Sequence, residues 1–112
     1  MSPARAQIVA RFTREALADL SQAVAWIARE DSAAADRLRV AANRAAKSIG
    51  EHPHIGPVRT EFAPEQFRFF VLRNSPYLIV YEPDTKPPRI LRMVHASQDL
   101  ATLLADLSGE RG

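Results

Sequence analysis

Between Phe67 and Leu104 the chain carries two dense apolar runs around a polar reversal, then a third run that ends in a histidine. The first run is Phe67–Leu72, and Arg73-Asn74-Ser75-Pro76 follows with residue types that favour a tight turn. The second, Tyr77–Tyr81, is short and rich in β-branched and aromatic side chains, which reads as a strand. A looser loop over Glu82–Pro88 leads to a third strand, Arg89–His95. Connections this short make neighbouring strands antiparallel. Leu100, Leu103, Leu104 and Leu107 then recur at helical spacing and predict a short helix over Asp99–Leu107.

A small antiparallel sheet needs a cover, and the N-terminal half supplies one. Gln7–Phe12, with Ile8, Ala10 and Phe12 on one parity, reads as a strand. Thr13 is placed to cap a helix over Arg14–Arg29, with Glu15 in the first turn where the helix dipole favours negative charge. Leu17, Leu20, Val24 and Ile27 form its apolar stripe, widened by Ala16 and Ala23. Trp26 falls off that stripe and is expected to cover the edge of the neighbouring helix. Asp31-Ser32 breaks the first helix and caps a second that runs to Ser48-Ile49. Its stripe of Ala34, Leu38, Ala41, Ala42, Ala45 and Ile49 is mostly alanine, which lets two helices approach closely. The pair reads as an antiparallel hairpin, with Gly50 as a left-handed stop and Pro53 preventing resumption. A long connection punctuated by Pro and Gly, His52–Gln66, joins it to the strands.

The expected architecture is one α+β domain of two layers: an N-terminal strand, a helical hairpin packed on one face of an antiparallel sheet, and a short C-terminal helix. The other face of the sheet is then left for partners or chemistry. With 112 residues, a single domain over 1–112 is expected. A formal charge of +2 is too small for a protein that holds nucleic acid by backbone charge alone. The absence of cysteine excludes disulfides and thiolate metal sites. Neither a signal peptide nor a membrane-spanning stretch is seen, so a cytoplasmic protein is expected.

Several residues invite chemistry. His95 ends a strand and could serve as an acid–base group with Arg92 and Tyr77 or Tyr81 nearby. It could equally be a hydrogen-bonded histidine that fixes the strand-to-helix corner, and without a partner base on a catalytic frame that second role is preferred. Arg68, Arg73 and Arg92 lie in or beside strands, where they could pair with acids inside the fold or meet a partner's carboxylates. His52 and His54 lack a third ligand at a recognisable spacing, so no metal is expected. Arg37, Arg39, Arg44 and Lys47 read as the solvated face of an amphipathic helix before a phosphate patch. There is no nucleophile motif and no Gly-rich phosphate loop, and no cofactor is expected.

The order of elements resembles the RelE/ParE superfamily of bacterial toxins. The resemblance runs from Ile8 to about Leu104. It is carried by the helix pattern A-L-A-D-L-S-Q-A-V-A-W-I, Ala34-Ala35 in the next helix, P-x-x-G at Pro53–Gly56, the strand at Arg68, Y-L-I-V-Y at Tyr77–Tyr81, and I-L-R-M-V-H at Ile90–His95. RelE-like members of that superfamily cut messenger RNA on the ribosome with strand lysines and arginines and C-terminal basic or tyrosine residues. ParE-like members poison DNA gyrase and are not nucleases. Matched strand to strand, this chain has Phe69, Val71 and Leu78 where the cleaving branch carries cations, and Ser97 near its last basic position. Apolar groups cannot neutralise a phosphate or move a proton. Val94-His95 and Gln98-Asp99 are similar to the ParE branch.

The resemblance therefore implies a gyrase-inhibiting toxin neutralised by a cognate ParD-like antitoxin, itself of ribbon-helix-helix type. It implies antitoxin contacts around Leu17, Leu20, Val24, Trp26 and the sheet edge, and target contacts at Arg68, Arg73, Arg92 and His95. Neither membrane association nor sequence-specific nucleic-acid binding is implied. Two alternatives remain: a ribonuclease using Arg68, Arg73, Arg92 and His95, and a binding module of this fold that has lost toxicity.

Overall fold

The computed structural model describes residues 8–108. The chain runs β1 (Arg11–Phe12), α1 (Arg14–Ala28), α2 (Ser32–Glu51), β2 (Arg68–Val71), β3 (Tyr77–Glu82), β4 (Arg89–His95) and α3 (Leu100–Leu103), followed by a 3-10 turn over Ala105–Ser108. The strands form one sheet in the order β1-β4-β3-β2. β2, β3 and β4 pair antiparallel, as their short connections require. β1 joins β4 in parallel and makes the sheet mixed. The α+β, two-layer expectation holds.

β1 is shorter than expected. Gln7 lies outside the described residues, and Ile8–Ala10 form no ladder; instead the Ala10 amide donates to the Ala46 carbonyl of α2. The helix caps are as the sequence implied. Thr13 Oγ1 accepts from the Ala16 amide at 3.1 Å, and Asp31 Oδ1 accepts from the Ala34 amide at 3.0 Å. The terminal helix is broken, with α3 ending at Leu103 and the 3-10 turn beginning at Ala105.

Gly50 is not a left-handed stop. It lies within α2, whose cap is His52. A Cβ on Gly50 would sit 2.0 Å from the Ile8 carbonyl oxygen, so glycine is required for the approach of two backbones. The hairpin stripes hold at most positions, with Leu20 and Ile27 packed on the core beside the buried residues, and depart from expectation at a few. α1 buries Ala16, Ala23 and Val24, whereas Leu17 is 52% exposed. α2 buries Ala35, Leu38, Ala42, Ala45, Ala46 and Ile49, which turns Ala34 and Ala41 toward a neighbouring stripe.

Two cores lie on opposite faces of the sheet. On one face the alanine-rich hairpin packs on Leu72, Ile79, Tyr81, Ile90 and Met93. On the other, Phe69, Leu78, Val80 and Val94 are covered by Phe67, Ala63 and the partly buried Phe62 of the connection, and by Leu100 and Leu104. The second face is therefore not open to partners, contrary to expectation. Strand parity creates an apolar row on each side of β3, and neither row can be left in water.

The connection is pinned rather than loose. The Tyr81 hydroxyl donates to the Pro53 carbonyl at 2.6 Å and accepts from the Gly56 amide at 3.0 Å. The Pro53–Gly56 segment is thus the receptor of a buried phenol. Burial pushes that phenol above its ordinary pKa, outweighing the Gly56 hydrogen bond and the Arg68 charge that pull it down. Gly56 admits no side chain, because a Cβ would lie 2.2 Å from the Phe69 carbonyl oxygen.

Both sheet edges are capped as well. Past Ile90, where β1 has ended, α1 takes over the edge of β4: Thr13 Oγ1 donates to the Leu91 carbonyl, and Asp19 Oδ2 accepts from the Met93 amide at 2.9 Å. At the β2 edge the Phe69 amide donates to the Pro57 carbonyl.

Candidate functional site

A half-open groove of about 1010 Å³ lies between the hairpin and the β2–β3 turn. One wall is helical, with Trp26 and Ile27 from α1 and Ala34, Arg37, Leu38, Ala41, Arg44 and Ser48 from α2. Ala34, Arg37, Ala41, Arg44 and Ser48 recur every three or four positions, a second stripe beside the core-facing one to which Leu38 belongs. The other wall comes from the sheet: Phe70, Leu72, the turn Arg73–Pro76, Tyr77 and His95.

The turn is held in place locally. Asn74 has φ 54°, a left-handed conformation that asparagine tolerates. Ser75 Oγ accepts from the Tyr77 amide, and the Leu72 amide donates to the Tyr77 carbonyl. A bond from the Ala96 amide to the Pro76 carbonyl ties the turn to the end of β4.

His95 has the corner role. Its amide donates to Gln98 Oε1 at 2.8 Å, and its Nδ1 accepts from the Ser97 amide at 3.1 Å. An amide donor on Nδ1 places the ring proton on Nε2. Ser97 Oγ also lies 2.7 Å from Nδ1, and Tyr77 meets the ring edge-on at 5.1 Å. Among the described residues no carboxylate hydrogen-bonds to this ring, so Ser97 and His95 lack the orienting third group of an activated nucleophile.

Of the arginines expected to act together, the fold separates three. Arg92 is engaged internally: its Nε and Nη2 hold Asp19 at 2.7 and 3.1 Å. That charge-assisted bond raises the Arg92 pKa further above its already high value. Arg68 Nη1 donates to the Gly56 carbonyl at 2.8 Å and serves the connection. Arg73 alone of the three lines the groove, together with His95.

The hydrophobic residues of α1 divide in the same way. Val24 is buried and Leu20 packs against the core. Leu17 and Trp26 are exposed, but at about 100° per residue they fall on opposite sides of the helix. Trp26 does not cover the neighbouring helix. It is 66% exposed at the groove rim, with the Arg29 guanidinium 4.9 Å from its ring centroid. Arg44 is exposed, as its reading as a solvated charge expected, and also lines the groove.

His54 lies 3.5 Å from Asp84, and no group of three potential metal ligands occurs among the described residues. No helix among them is long and apolar enough to cross a membrane.

Comparison with known proteins places this small α+β domain among the toxins of type II toxin–antitoxin systems. The family model described as ParE toxin of type II toxin-antitoxin system, parDE, matches residues 10–100. The chain belongs to the ParE toxin family. A solved structure entitled "Chromosomal ParDE TA system from P. aeruginosa" shares the fold, with a TM-score of 0.67 and 20% identity over 80% of this chain and 96% of that one. A search of curated proteins found no significant match.

Proposed function

We propose that this toxin arrests growth by binding and inhibiting DNA gyrase in the cytoplasm, without catalysis, and that a ParD-like antitoxin neutralises it. The observation that carries the non-catalytic reading is the fate of the positions a ribonuclease would need. Phe69 and Leu78 are buried in the second core, and Val71 is an exposed hydrophobe. None can neutralise a phosphate or transfer a proton. Of the arginines a relocated basic set would use, Arg92 and Arg68 already serve Asp19 and the Gly56 carbonyl.

On this reading Arg73 and His95 are the target-facing candidates, and Leu17 and Trp26 the antitoxin-facing ones. Leu20 and Val24 act by shaping α1. Purified protein is expected to inhibit gyrase supercoiling, and no inhibition at saturating protein would overturn the reading. Ribosome-dependent cleavage of mRNA, lost on His95→Ala, would establish the ribonuclease instead. Unimpaired growth on expression without antitoxin would indicate a module without toxicity.

A further inference from the structure

We propose that the groove is a site for single-stranded nucleic acid, with Arg44 and Arg73 taking phosphates from its two walls and Trp26 receiving a base at its rim. The assignment goes beyond the toxin's target and stands whether or not that target is gyrase.

The first observation is charge. Arg37, Arg44 and Arg73 line the groove against one acid, Asp36, so the lining alone carries the chain's whole formal excess of +2. Asp36 is itself engaged by Arg39 at 2.9 Å. Arg44 and Arg73 have neither an ion pair nor a side-chain hydrogen bond among the described residues. An unpaired guanidinium is a planar fork of donors that fits two phosphate oxygens at once. His95 adds a further donor to the sheet wall, because the Ser97 amide on Nδ1 leaves the ring proton on Nε2.

The second observation is aromatic surface beside those cations. Trp26 stands 66% exposed at the rim, and the Arg29 guanidinium already lies over its ring at 4.9 Å. Tyr77 and Phe70, both half-buried, line the sheet wall. Rings that receive bases, set along a cationic groove that follows the backbone, make a single-strand site that tolerates any sequence. An acidic polypeptide meets the same cations but offers no base to stack on Trp26. In a duplex the bases are paired and stacked on one another, out of reach of the indole.

The third observation is place and shape. The groove is open on one side, and at about 1010 Å³ it exceeds the usual small-molecule range of about 300–1,000 Å³, as an entering and leaving polymer requires. It lies on the hairpin side of the sheet, whereas Phe69 and Leu78 are buried in the core of the opposite face. The site is thus separate from the positions at which a ribonuclease would carry its cations, and the strand is held here without being cut.

Trp26 is the chain's one tryptophan, so quenching of its emission by a stacked base reports occupancy. The full-length protein is titrated with oligothymidylate of about 12 nucleotides, with oligouridylate and a DNA duplex of the same length, and with polyglutamate. Saturable quenching is expected from the single strands, with log affinity falling by about 0.7 per log unit of salt for each phosphate neutralised. Arg44→Glu with Arg73→Glu, checked for fold by circular dichroism, is expected to weaken binding about tenfold or more and to flatten that salt dependence. Arg11→Glu with Arg59→Glu makes the same charge change at exposed positions outside the groove, and is expected to weaken it far less. Trp26→Leu, read by the anisotropy of a labelled oligonucleotide, is expected to weaken binding about fivefold or more.

Quenching by either single strand supports the site, and the tighter of the two identifies the sugar it prefers. No saturable quenching by either strand would overturn the proposal. So would binding of the duplex or of polyglutamate as tight as that of the single strands, an equal loss in the Arg11 and Arg59 variant, or undiminished binding in Trp26→Leu.

Discussion

The face of the sheet that carries Ile79, Tyr81 and Met93 meets a regular helical hairpin, whereas the face that carries Leu78, Val80 and Val94 meets an irregular cover. That cover is assembled from Phe62, Ala63 and Phe67 of the connection and from Leu100 and Leu104 of two short helical turns. The regular cover uses alanine to come close, and where the hairpin and the β2–β3 turn part it leaves a groove. The irregular cover seals its face with large side chains. Regularity here goes with an accessible surface, and irregular backbone with a closed one.

Truncating the irregular cover tests this contrast most severely. Leu104 is fully buried under the second face, so Leu104→Ala is expected to cost about 2–5 kcal/mol in urea denaturation followed by circular dichroism. A loss below about 1 kcal/mol would mean that the C-terminal turns only lean on the sheet, and the comparison would break.

On the regular side the prediction reverses the usual sign of its substitution. Gly to Ala inside a helix ordinarily stabilises by roughly 0.5–1 kcal/mol. At Gly50 the new methyl would meet the Ile8 backbone, so Gly50→Ala is expected to destabilise by about 1–3 kcal/mol in the same assay. Stabilisation would show that this backbone approach is not required.

Tyr81 links the two sides, because it is buried under the hairpin while its hydroxyl holds the connection. Tyr81→Phe strands the Pro53 carbonyl and Gly56 amide, at an expected cost of about 1–3 kcal/mol. The pH dependence follows from the raised phenol pKa. Above the ordinary value of 10.0 the unfolded tyrosine ionises while the folded one stays neutral, so stability falls. The decline ends once pH passes the folded pKa, and Tyr81→Phe is expected to remove that part of the alkaline loss. An unchanged alkaline profile in Tyr81→Phe would assign the loss to other groups.

The smallest expected change in stability is at the groove rim. Trp26→Ala is expected to move unfolding by no more than about 0.5 kcal/mol while weakening antitoxin capture. If instead it unfolds the hairpin, Trp26 belongs to the core and not to the recognition surface.

Much of this fold is legible residue by residue. Thr13 and Asp31 announce the two helices, and the Arg73–Pro76 turn announces the β2–β3 hairpin, because caps and turns are decided by groups a few residues apart. The candidate site was harder to read. Arg92, apparently poised for a partner, is held by Asp19, 73 residues away. Arg44 is the solvated surface charge the sequence suggests, yet only the fold places it in a groove with Arg73. Nothing local distinguishes an arginine that will find an internal carboxylate from one that will not.

The sequence by itself determined the hairpin, the antiparallel order of β2, β3 and β4, and the lack of cations at Phe69, Val71 and Leu78. It did so through periodicity, capping and residue type, which act over a few residues of chain. Only the tertiary structure decided that Gly50 admits a crossing backbone, that the second face is sealed, that Asp19 closes a sheet edge, and that Arg44 and Arg73 line one groove. Those outcomes depend on which distant surfaces meet, and burial and charge pairing are satisfied in space rather than along the chain.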